Sequence, residues 1–166
     1  MAVFSGGEAF ESKLKQLSEN IKKAASLKVG IMSDATYPDG TMVAAVAAFN
    51  EFGTTRKKTD AKGNVVLVQH SPPRPFLRGC IAEHSPEWPG QIARVLEATN
   101  YDTAATLEMI GELIEGQVKM SIRNFTDPPN APSTIAAKGH DKVLVESGLM
   151  LRSITHLVDD GESSGA

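Results

Sequence analysis

At 166 residues, 41% of them hydrophobic and 22% charged, the chain has the size of one compact domain whose core needs neither a metal nor a disulfide. Its 17 basic and 20 acidic residues leave a net charge of −3, which excludes a surface built throughout to condense on phosphate backbones. The single cysteine, Cys80, excludes an intramolecular disulfide or a paired-cysteine site and points to a reducing compartment, and no apolar run approaches the roughly 18 residues of a membrane span. The opening MAVFSGGEAF lacks the charged start and long apolar stretch of a secretory signal, so folding in a cytoplasm is expected.

Phe10, Leu14, Leu17, Ile21 and Ala24 recur at the spacing that lines one face of an α-helix, predicted over about residues 8–25. That stripe requires a partner, either the protein's own sheet or a neighbouring subunit. Leu27, Val29 and Ile31 alternate as in a half-buried strand, and Tyr37-Pro38-Asp39-Gly40 combines a fixed φ with a pair tolerant of positive φ, so the chain turns there and Thr41 can cap the next element. Residues 42–49 are small or apolar and poor in β-branched side chains; they predict a buried helix ending near Asn50-Glu51-Phe52 with Gly53 as its stop, a strand being the alternative.

The polar stretch TTRKKTDAKGN over 54–64 predicts a mobile hairpin or loop, followed by a strand at Val65–Gln69. Ser71-Pro72-Pro73-Arg74-Pro75 is incompatible with helix or interior strand and predicts a stiff extended segment leading into Phe76-Leu77-Arg78. Two helices come next: about 86–98, with Trp88, Ile92, Val95 and Leu96 on one face, and about 103–124, with Leu107, Ile110, Ile114, Val118 and Ile122, N-capped by Asp102 or Thr103. Ile154, His156 and Val158 alternate in a last strand, after which 159–166 form a flexible tail. The expected fold class is α+β, a single domain over 1–158 with a small antiparallel sheet packed against helices, the first helix and the long helix on one sheet face.

The chemistry of catalysis is sparse. His140, Asp141 and Ser147 are the right residue types for a hydrolase, but the glycine pattern of a nucleophile elbow is missing, and polar residues beside a Lys-Gly turn are ordinarily loop residues. His70, His84, His140 and His156 are too widely spaced to suggest a metal site, and no phosphate-binding glycine motif follows a strand. No catalytic, cofactor or metal residue is assigned. Arg56, Lys57, Lys58 and Lys62 form the one concentrated basic patch; without interleaved aromatics it serves as a solvated hairpin tip, a protein contact or a DNA contact.

Four segments occur in a fixed order: YPDGTMVAAVAAFNEFGT, PPRPFLR, a long helix, and PPNAPSTIAAKGHDKVLVESGLMLRSI. Over about residues 27–158 this order resembles the tail-completion or minor tail proteins, of the virion-morphogenesis type, of long-tailed bacteriophages and prophages. Asn50, Glu51, Phe52 and Gly53 match the helix-end signature, Arg74, Pro75 and Phe76 the Pro-Arg-Pro-Phe segment, and Ser147, Gly148, Ser153 and Ile154 the C-terminal element. Ser147 stands where threonine is common in the family, and the TTRKKTDAKGN stretch is an insertion whose role the resemblance leaves open.

The resemblance implies an α+β structural subunit without enzyme activity or cofactor, in a homo-oligomeric ring at the head-proximal end of the tail, sixfold to match tail symmetry. Implied neighbours are the tail tube or tail terminator and the head connector; the place is the virion, and the host cytoplasm during assembly. Membrane contact is not implied, and DNA at most passes through, which suits an acidic chain. A tail terminator or neck adaptor is the alternative within this class, a small hydrolase or nucleic-acid-binding module outside it. The expected contact surface comprises Asn50, Glu51, Phe52, Arg56, Lys57, Lys58, Lys62, Arg74, Pro75 and Phe76. At its centre, either the proline-stiffened arm docks Arg74 and Phe76 into a neighbour, or Phe76 fills its own core while Arg74 bridges to a carboxylate such as Glu51.

Overall fold

The computed structural model describes residues 7–22, 26–32 and 34–159. In chain order they form α1 (Gly7–Ile21), β1 (Ser26–Ile31), α2 (Val43–Phe52), β2 (Thr54–Thr59), β3 (Val65–Ser71), α3 (Phe76–His84), α4 (Trp88–Ala98), α5 (Thr103–Asn124), α6 (Pro132–Lys138), α7 (Leu149–Arg152) and β4 (Ile154–Asp159). The fold class is α+β, as the sequence predicts, with β1 paired to β4 and β2 paired to β3 in separate two-stranded sheets. The chain divides into two compact units, one of Met1–Val29, Pro86–Ile114 and His156–Ala166, the other of Gly30–Ser85 and Glu115–Thr155. The chain crosses between them within β1, α5 and β4 and once more between α3 and α4.

In the first unit, α5 lies tightly on the sheet: a Cβ at Gly111 would come within 2.7 Å of the His156 ring on β4 and 3.0 Å of Leu27 on β1. Only glycine allows that approach. Asp102 is the cap of α5, its carboxylate accepting the Ala105 amide at 3.2 Å. Thr103 instead donates its hydroxyl to the carbonyls of Asn20 and Ile21 at the end of α1. Buried Thr106 is satisfied locally, bonding the Asp102 carbonyl at 2.6 Å and the Thr99 hydroxyl at 2.8 Å. The α4–α5 turn passes through left-handed Asn100 and Tyr101. The stripe of α1 is not covered among the described residues: Phe10, Leu14 and Ile21 are exposed and Leu17 is half-buried, so the expected packing on the protein's own sheet is corrected. Ala24 lies outside the described residues. Asp159 ends β4 and pairs with Lys28 at 3.5 Å, so the tail does not begin at 159; residues 160–166 lie outside the described residues.

In the second unit, Val43, Ala47, Phe76, Cys80, Val118, Ile122, Met150 and Ile154 are buried. The Tyr37–Thr41 turn forms as the Pro-Asp-Gly sequence predicts, with Gly40 at φ 83° and the Asp39 carboxylate accepting the Thr41 amide at 2.9 Å. The residue preceding α2 is Met42, which makes no side-chain capping bond, so Thr41 is not its cap. The segment after Ser71-Pro72-Pro73-Arg74-Pro75, to which the sequence pattern assigns no helix, opens α3 at Phe76, with Phe76 and Cys80 buried. Two further short helices, α6 and α7, form where the sequence pattern predicts none.

Candidate functional site

The most distinctive part of the second unit is a hairpin rooted in a corner of buried polar groups. Helix α2 stops at Gly53, with φ 73°, where a Cβ would sit 2.8 Å from both the Pro73 nitrogen and the Ser71 carbonyl oxygen. Departing and returning chain therefore run in contact at the hairpin's base, which a side chain would force apart. The Arg74 amide donates to the Asn50 carbonyl at 2.6 Å, closing the loop from α2 through the hairpin and back.

Glu51 organises this corner. It is 4% exposed, and its carboxylate accepts the amides of Leu77 at 3.0 Å and Arg78 at 3.1 Å, together with Arg78 Nε at 2.8 Å. Arg78 Nη2 donates to the Glu51 carbonyl at 2.8 Å, and the guanidinium lies 4.9 Å over the Phe52 ring. A helix start leaves amides without intrahelical acceptors; here a carboxylate from a different helix supplies them, and its charge suits the positive end of α3.

Arg74 does not pair with Glu51. It reaches the carbonyls of Pro128 and Pro129 at 3.5 Å and Asn130 Oδ1 at 3.4 Å, and burial pushes its guanidinium pKa down from its ordinary value. Phe76 is 3% exposed, and its carbonyl accepts the Ser121 hydroxyl at 2.7 Å. The reading in which Phe76 fills its own core is therefore the right one, with Arg78 rather than Arg74 as the partner of Glu51. Phe76 and Glu51 are thereby removed from the expected contact surface; Asn50, Arg74 and Pro75 are half-buried parts of the corner, and Phe52 is 65% exposed.

The basic cluster has a defined scaffold. Strand β2 pairs antiparallel with β3, with Arg56 opposite Val68, Lys57 opposite Leu67, Lys58 opposite Val66 and Thr59 opposite Val65. The connecting turn is tied by the Asp60 carboxylate, which accepts the amides of Lys62 at 2.8 Å and Asn64 at 2.9 Å and the Asn64 side chain at 3.1 Å. These bonds hold the Asp60 carboxyl below its ordinary 3.8, the Asn64 amide contributing most. Arg56, Lys57, Lys58 and Lys62 are all exposed, and so are Val65 and Leu67, at 66% and 70%. Sequence patterning missed this side of the hairpin, because a Val-Val-Leu-Val run is ordinarily a buried strand.

The structure does not join the residues of the hydrolase alternative. Ser147 Oγ accepts the Leu149 amide at 3.3 Å, Asp141 is exposed, and His140 Nδ1 is buried without a hydrogen-bond partner. Ser147 does line a cavity of about 440 Å³ with Tyr37, Arg74, Asn130, Lys138 and Glu146. Lys138 there donates to the carbonyls of Lys142 and Val143, and burial lowers its pKa against the opposing pull of Glu146. Among the described residues, no cluster of three or more histidine, cysteine or acidic side chains is placed to hold a metal ion. Comparison with protein-family models, curated proteins and solved structures returns no match.

Proposed function

We propose that this protein is a structural assembly subunit, a tail-completion protein of a long-tailed phage or prophage that works as a homo-oligomeric ring at the head-proximal end of the tail. The observation that carries the reading is the hairpin: a two-stranded sheet whose large apolar side chains, Val65 and Leu67, face solvent on an arm rooted by buried polar bonds. An isolated pair of strands is marginal in water, and a rigidly based arm with exposed aliphatic residues gains by being covered. The order of the Asn-Glu-Phe-Gly, Pro-Arg-Pro-Phe and C-terminal segments supports the phage context. Contact with a neighbour passes from Arg74 and Phe76, which hold the arm's base, to the arm itself.

Native mass spectrometry of the purified chain over a range of concentrations tests the reading, with negative-stain imaging of the largest species. Closed rings, sixfold in number, are the expected result. A chain that stays monomeric at every concentration, alone and with tail-tube protein, overturns it.

A further inference from the structure

We infer that the β2–β3 hairpin of one copy docks, apolar face first, on the exposed stripe of α5 in a second copy, making the contact between copies head-to-tail. The inference rests on the self-assembly proposed above and names the two surfaces that meet.

Residues directly opposite in an antiparallel pair share a face, so Lys57, Thr59, Val65 and Leu67 lie together on one side of the hairpin. That side is the more exposed of the two: on the other, Val66 is 37% exposed and Val68 half-buried. The docking face thus carries Val65 and Leu67 along β3 and one cation, Lys57, beside Thr59 along β2, while Arg56 and Lys58 stand on the opposite face. Residues 54–71 carry four cations and one carboxylate, a net +3, so the rest of a chain totalling −3 carries −6. The arm is the positive pole of a negative protein, and its natural complement is another copy.

The first half of α5, residues 103–114, contains two charged residues, Glu108 and Glu112, and no cation. Both are exposed, and Met109, Glu112 and Leu113, spaced i, i+3 and i+4, form one strip in which Met109 and Leu113 are 52% and 37% exposed, Leu113 lying at its edge beside buried Thr106 and Ile110. Spacing agrees as well as charge. Met109 and Leu113 are four residues apart on a helix, about 6 Å, and Val65 and Leu67 two residues apart on a strand, about 7 Å. Two aliphatic residues can meet two others while Lys57 faces a carboxylate. Because hairpin and stripe are different surfaces, each copy offers one to either neighbour, which is the arrangement that closes into rings.

A charge swap between copies tests this. Glu108 is hydrogen-bonded to His156, with Nε2 and Oε2 3.0 Å apart, so Glu112 is the carboxylate to change. Lys57→Glu and Glu112→Lys are each expected to raise the concentration needed for assembly about tenfold, by setting like charges against each other. Circular dichroism of the separate variants checks that both remain folded. Mixed in equal amounts, they are expected to assemble again as alternating copies, since each hairpin then meets a stripe of opposite charge. Wild-type assembly that neither variant weakens, or a folded mixture that fails to recover, overturns the docking inference and leaves the assembly reading standing. A monomeric wild type overturns both.

Discussion

The corner at residues 50–53 and 74–78 and the arm at 54–71 are neighbours in sequence and opposite in physical character. In the corner, charge is spent inward: Glu51 is 4% exposed and satisfies two amides and a guanidinium. In the arm, four cations and three large aliphatic side chains, Val65, Val66 and Leu67, are exposed. Inward polar groups set geometry at a cost in desolvation that only good hydrogen bonding offsets, whereas outward ones leave their interaction energy available to another molecule. Substitutions in the corner should therefore be read in stability, and substitutions in the arm in association.

The largest expected effect is in the corner. Glu51→Ala strips the start of α3 of its acceptors and should cost about 3 kcal/mol of unfolding free energy, because hydrogen bonds to charged groups contribute about 1.5–3 kcal/mol each and are not additive. Urea denaturation measures it, and Glu51→Gln, which keeps one acceptor oxygen, should lose less. Gly53→Ala comes next: a left-handed backbone that also brings a Cβ against Pro73 and Ser71 should cost about 2 kcal/mol, seen as a lower denaturation midpoint with an unchanged slope. In the arm the sign of the comparison reverses. Leu67→Ser should change monomer stability by less than about 0.5 kcal/mol while weakening self-association, which sedimentation velocity resolves from the corner variants. Equal loss of stability in arm and corner would abolish the distinction.

The smallest effect concerns the arm's turn. The Asp60 carboxyl titrates below its ordinary value in the folded hairpin, so its contribution is present above the unfolded pKa and disappears as pH falls through the folded one. Amide exchange at Lys62 and Asn64 should quicken, relative to the core of α5, as the pH is lowered below about 4. Asp60→Asn, which keeps one acceptor oxygen but cannot ionise there, should flatten that dependence.

Local periodicity recovered the features that local energetics decides. The 103–124 helix was legible because Ile110, Val118 and Ile122 repeat on one face, and the structure buries all three. The stop of α2 at Gly53 and the turn at Tyr37–Thr41 were legible because glycine and Pro-Asp-Gly act within four residues. Action at a distance was not legible. Helix α3 was hidden behind three prolines and is capped by a carboxylate 26 residues earlier in the chain, which no window over 71–78 contains. The choice of Arg78 over Arg74 as the partner of Glu51 likewise depends on how two helices approach.

By itself, then, the sequence determined the α+β class, the long helix, the glycine stop and the concentration of positive charge at 56–62, since each arises from composition or from spacing within one element. Tertiary structure alone decided that Phe76 is core, that a valine-rich strand stands in solvent, and that Met109, Glu112 and Leu113 of α5 are exposed together while Thr106, Ile110 and Gly111 are covered. Burial is a property of the groups opposite a side chain, and residues far away along the chain supply them.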